Sequence, residues 1–126
     1  DFSKNGTAQV DYVVEQGTTG MWSYRKWASG VAECWGLYEK SGCDISAAWG
    51  YLFESTSSIR LDFPAGLFTA TPVLNMNLQY STAGVLSLET TDETTKDKTC
   101  NIWPTRATAN ANVYVVIALR AIGKWK

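Results

Sequence analysis

An all-β chain, folded as an antiparallel β-sandwich of about six to seven strands, is what two stretches of the sequence predict. Leu74, Met76, Leu78 and Tyr80 alternate with Val73, Asn75, Asn77 and Gln79. That period of two turns the first set inward and the amides outward. Residues 113–122 are apolar on both faces and rich in valine, which suits a central strand covered on both sides and disfavours a helix.

Taken in order, residues 1–20 are polar and turn-rich, interrupted only by Val10, Tyr12, Val13 and Val14, and are expected to be a lead-in from an upstream segment. The sandwich proper is expected over 21–126. Residues 22–27 and 31–35 flank Ala28-Ser29-Gly30 and predict a hairpin with Trp22 and Tyr24 on one face. Residues 51–53 and 59–63 are two further strand candidates joined by the Ser/Thr-rich turn 55–58. Residues 47–54 also fit a short helical turn, since Ala47-Ala48-Trp49-Gly50 has no β-branched residue. The strand at 85–91 is expected to pair with 73–80 through Ser81-Thr82-Ala83-Gly84, adding Leu86 and Leu88 to the same core face.

The 126 residues, 45% of them hydrophobic, suit one compact domain with one core. Eleven basic against twelve acidic side chains leave a net charge of -1, so no positive field exists to hold nucleic acid or an anionic membrane. Six Trp, six Tyr and four Phe are more rings than one small core needs, and such a surplus is common where rings meet sugars or another subunit. Cys34, Cys43 and Cys100 are an odd number, which argues against a disulfide framework; Cys34 reads as a small buried hydrophobe. The chain starts at Asp1 without Met, as expected of the C-terminal piece of a longer polypeptide, although a processed chain would look the same.

Several chemistries lack their residues. With no histidine, neither Ser-His-Asp nor Cys-His catalysis is available within the chain, and no Cys-x-x-Cys spacing marks a zinc site. Carboxylates from Glu33 to Asp97 offer many pairs, yet spacing singles out none as a glycosidase pair. No phosphate loop or dinucleotide fingerprint occurs, and no cofactor is expected. Residues 92–97 form an acidic loop that fits either solvated charge or a calcium ligand set, with Lys96 and Lys98 offsetting it.

The candidate binding residues centre on Trp103. Held extended before Pro104, its ring projects from a strand end or loop. Arg106 and Asn110 follow with directional donors and acceptors, the makeup of a sugar site; the alternative is a corner tryptophan that covers the core edge. Trp49 and Tyr51 are further platforms, with Trp22 behind them.

The segment 22–36, Phe63-Pro64-Ala65-Gly66-Leu67-Phe68 and the closing Ala121-Ile122-Gly123-Lys124-Trp125-Lys126 resemble the C-terminal domains of tail-fibre and minor structural proteins of tailed phages and prophages. Residues 63–123 are also similar in layout to H-type lectin domains, with a Phe-rich corner, a Pro-Val strand, a Cys-x-x-Trp stretch, a polar loop and a long apolar last strand. These resemblances imply a trimeric sandwich at a fibre tip in the virion, assembled in the host cytoplasm with free thiols. They imply a non-catalytic receptor-binding role toward a host-surface glycan, with a purely structural trimerisation cap and a polysaccharide-degrading domain as rivals. The lectin likeness carries sugar contact to Trp103 and to the loop with Arg106 and Asn110, which is longer here. The apolar faces of residues 113–122, with Tyr114, Val116 and Ile122 opposite Val113, Val115 and Ile117, point the same way: a homotrimer contact is expected to cover the surplus.

Overall fold

The computed structural model describes residues 3–5 and 8–126, with side chains from Val10 onward. Among these residues there are strands and no α-helix: β1 (Ser3–Asn5), β2 (Ala8–Val10), β3 (Val13–Thr19), β4 (Trp22–Trp27), β5 (Val31–Trp49), β6 (Leu52–Ser55), β7 (Val73–Ser81), β8 (Ser87–Thr91), β9 (Asn101–Arg106) and β10 (Asn110–Lys124). β1 and β2 form a separate two-stranded ribbon, and the other eight make one open antiparallel sheet. Its main path runs β3-β4-β5-β6-β9-β8, while β10 pairs with the second edge of β5 and carries β7.

The long strand β5 explains how one sheet makes a core. Along one edge it pairs with β10 from Val31↔Lys124 to Ile45↔Asn110. Its other edge is shared: residues 32–36 meet β4, whereas 45–49 meet β6. Between these halves the ladder shifts register at Lys40 and Cys43, and Gly42 sits at φ 66°. Bulges of this kind bend a strand and increase its twist. The sheet therefore folds over, and β9 comes to lie across β5 and β10.

The fold encloses alternate residues of both layers. Ala32 and Cys34 of β5 and Ile117, Leu119 and Ala121 of β10 pack with Ile59, Cys100 and Ile102, while Cys43, Ile45, Val113 and Val115 form a second cluster with Phe53, Leu78 and Leu86. Fully burying each such isoleucine stabilises by roughly 1.5–3 kcal/mol. The Phe-Pro corner closes one side: the Trp22 indole donates to the Asp62 carbonyl at 2.7 Å, and Phe63 packs against Trp22 and edge-on to Phe68 at ring separations of 5.7 and 5.4 Å.

Several expectations need correction. The sheet has eight strands, and its edge strand β3 lies inside the segment expected as a lead-in. Residues 47–54 form the end of β5 and the start of β6. Residues 59–63 make only the bridges Ile59↔Ile102 and Asp62↔Lys98, because Leu61 N–H is drawn to the Thr99 hydroxyl and Arg60 to the Thr99 carbonyl. β8 pairs with β9 rather than β7, so residues 81–86 cross between layers. Tyr80 faces outward: a bulge opposes Leu78 to Ile117 but Tyr80 to Val116, and the inserted residue reverses the alternation.

All three cysteines are free thiols and buried. Burial pushes the Cys34 thiol from 9.0 up to about 12. Between these values an unfolded chain has lost a proton that the folded chain keeps, so stability is full below pH 9 and falls as pH rises toward 12. Tyr24 and Tyr114, held up by hydrogen bonds to Glu15 and Glu39, act in the same direction above their ordinary value. A melting temperature that declines through this alkaline range, with thiols unreactive to a disulfide reagent at neutral pH until the chain unfolds, is the expected result; prompt labelling of Cys34 in the native protein contradicts it.

Stability also depends on Gly36. A Cβ there meets the backbone carbonyl oxygen of Met21, which cannot rotate away as a side chain could. Gly36→Ala is expected to destabilise by roughly 1–3 kcal/mol in denaturant unfolding, in the range of overpacking substitutions. An unchanged midpoint would mean that the turn between β3 and β4 moves freely off the sheet.

Candidate functional site

The two ends of the sheet differ in what they present. At one end Val13 pairs with Trp27, Trp125 N–H donates to the Gly30 carbonyl at 2.9 Å, and the Trp125 indole donates to the Trp27 carbonyl at 2.8 Å. These bonds gather the start of β3, the β4–β5 turn and the segment after β10. Because β5 runs away from this end and β10 runs back toward it, the β5–β6 turn, the 81–86 crossing and the 107–109 loop gather at the opposite end.

That far end is apolar yet open. Trp49 and Leu52 pair across the two-residue turn Gly50-Tyr51, where Gly50 holds φ 60°. A glycine at the first position with positive φ matches the strand twist in tight hairpins. The turn leaves Tyr51 fully exposed at 101%, with Trp49 at 52%, and across the loop cluster Val85 is at 88%. Arg106, opposite Phe53 in the ladder, ties the loops together: Nε donates to the Val85 carbonyl at 2.8 Å and Nη1 donates to Asn110 Oδ1. It also lines a shallow cavity of about 260 Å³ with Leu52, Val85, Leu86 and Thr105.

The structure thus brings Arg106 and Asn110 together at the end that also holds Trp49 and Tyr51, with Arg106 on the Phe53 side of the layer and Trp49 beside Leu52 on the other. Trp103 does not join them. Three residues before Arg106 on a regular strand, it points to the other face of β9, and its indole donates to the Thr91 hydroxyl at the far end of β8. Trp103 is half-buried, with its N–H already engaged. Trp22 is buried and offers no open ring. Leu52 and Val85, which the sequence reading placed in strands without a binding role, prove to be exposed; the glycine punctuation at Gly50 and Gly84 was the available signal that they flank turns.

The acidic loop splits its carboxylates. Asp92 accepts from Asn101 Nδ2 at 2.6 Å, Asp97 lies 3.3 Å from Lys96, and Lys98 lies 3.4 Å from Asp62. Among the described residues no three His, Cys, Asp or Glu side chains converge on a point that could hold a metal ion. At the far end the Arg106 guanidinium with its amide partner and the Glu54 carboxylate, opposite Thr105 in the ladder, stand among neutral rings. Such a surface can stack on a ring face and donate hydrogen bonds to its edge.

Comparison with protein-family models, curated proteins and solved structures finds no match to this chain.

Proposed function

We propose that this chain is a non-catalytic, host-surface glycan-binding tip domain of a phage tail fibre, carried on the virion and self-associating as a homotrimer. One observation carries the reading: exposed Trp49, Tyr51, Leu52 and Val85 share one end with the Arg106–Asn110 pair, opposite the end that holds Val13 and Trp125. Large apolar groups gathered on open loops gain nothing for the fold and suit contact with a partner. Rings beside a guanidinium and an amide fit a saccharide, whose C–H face stacks while its hydroxyls exchange hydrogen bonds. A structural cap without glycan binding is the second reading. What favours it is the uncovered sheet face taken up below, which serves assembly rather than recognition.

The comparison to make is Tyr51→Ala and Trp49→Ala against wild type in a glycan array and in adsorption to host cells. Each is expected to weaken binding by about 1–2 kcal/mol, the scale of an anchoring ring at a contact surface. Trp103→Ala is expected to weaken it less, since that ring is half-buried and faces away from Arg106. Normal adsorption by both turn variants would remove the far end from the site, and a wild-type domain that binds no glycan and no host cell would favour the cap.

A further inference from the structure

Strand alternation gives the layer β3-β4-β5-β10-β7 a second, outer face that no element covers among the described residues. Opposite the core positions Cys34, Ile117 and Leu119 stand Trp35 and Leu37 of β5 and Ala118, Arg120 and Ile122 of β10, with Val116 on the same side but buried among its neighbours. Leu37 sits mid-strand, paired with Ala118 of β10 and one residue beyond the last β4 pair at Gly36, and it is 48% exposed. On a lone domain such a position is normally polar, because antiparallel sheets with one solvated face alternate apolar-in and polar-out. On β7 the face carries exposed Val73 at one end and Tyr80, brought there by the bulge described above, at the other, with Asn75 and Asn77 between them.

Charge divides this face along the strands. Toward one end Arg120 lies 2.9 Å and Arg25 3.8 Å from the single carboxylate Glu33, and Lys124 follows, so three cations meet one anion. Arg25 also covers the Trp35 ring at 5.1 Å. Toward the other end stands Glu39, which accepts a hydrogen bond from the Tyr114 hydroxyl at 2.5 Å. The face is therefore an apolar stripe with a basic end and an acidic end. A parallel stack of such faces puts like charge on like, whereas opposed ends match.

We propose that this face packs on a second copy of the same chain, the basic end around Arg120 meeting the acidic end at Glu39 with Leu37 and Ala118 at the centre. The inference rests on the self-association in the reading above and adds the surface and polarity of the contact. Because both copies use the same face with its ends reversed, the contact is two-fold and closes on a pair of copies, a mass that distinguishes it from a trimer contact.

The test is mass by light scattering and sedimentation equilibrium at high micromolar concentration, with folding followed by thermal melting. Leu37→Glu, at a half-exposed position, is expected to stay folded and to shift the protein to monomer. Arg120→Glu and Glu39→Lys are each expected to weaken association about tenfold or more, and the double variant to recover most of that loss, as charge pairs coupled across an interface do. An oligomeric wild type whose mass survives a folded Leu37→Glu overturns the proposed face while leaving self-association intact. Should Leu37→Glu fail to fold, the charge variants decide alone, and a double variant as weak as its singles overturns the opposed-ends contact. A wild type that is monomeric throughout removes both this contact and the trimer, and leaves the face to another partner, without touching the glycan reading.

Discussion

The β5–β10 ladder is the constraint on which the rest of the structure depends. It runs from Lys124↔Val31 to Asn110↔Ile45 and lends β5 to both layers, because the second edge of β5 serves β4 first and β6 later. A straight strand could not do both and still let the layers face each other. The register shifts at Lys40 and Cys43, with the positive φ of Gly42, supply the bend. Val113 and Val115, at the matching shift in β10, fill the second core cluster with Cys43 and Ile45, so the distortion is packed rather than left as a gap. Each added void would cost on the order of 1 kcal/mol per missing methyl group.

The same bend decides where function can sit. Because β5 carries the chain the full length of the sheet before β6 turns back, Trp49 and Tyr51 end up as far as the fold allows from Trp27 and Trp125. The crossing at 81–86 and the loop before β10 arrive at that end for topological reasons, since the chain passes between layers there from β7 to β8 and again from β9 to β10. Arg106 then holds what topology gathers, through its bonds to Val85 and Asn110. Charge-assisted bonds of this type run stronger than neutral ones, and here they fix loops that have little core beneath them.

Much of this was legible in the sequence wherever one face of a strand is buried. The hairpin at Ala28-Ser29-Gly30, the alternation of Leu74, Met76 and Leu78, and the doubly apolar last strand all follow from side-chain periodicity, and the structure keeps them. Periodicity fails where the register slips: nothing in Gln79-Tyr80 announces a bulge, and a single inserted residue sends Tyr80 to the outer face. Pairing partners were equally hidden, because a turn such as Ser81-Thr82-Ala83-Gly84 reads alike whether it returns to the same layer or crosses to the other. At the candidate site, Arg106 and Asn110 were legible as polar groups after an extended Trp-Pro pair. That Trp103 faces away from Arg106 was also implicit in their spacing of three, which on a strand separates the two sides.

Among the described residues, two surfaces carry apolar groups that the fold leaves exposed, and they differ in kind. Around Leu37 the groups stand on the middle strands of a rigid sheet, where a flat stripe of apolar atoms with opposite charges at its ends is suited to another flat surface. Tyr51 stands instead at the tip of a two-residue turn, fixed by the Trp49–Leu52 pair and the positive φ of Gly50. A ring held there has little backbone freedom left to lose on binding, and preorganisation of that sort raises affinity by lowering the ordering cost rather than by adding contacts. A flat face and a preorganised projecting ring solve different problems. Assembly through the first leaves the second outside the contact, and with the ends of the two faces opposed the turns of a pair stand at opposite ends, so each projecting ring meets its ligand on its own.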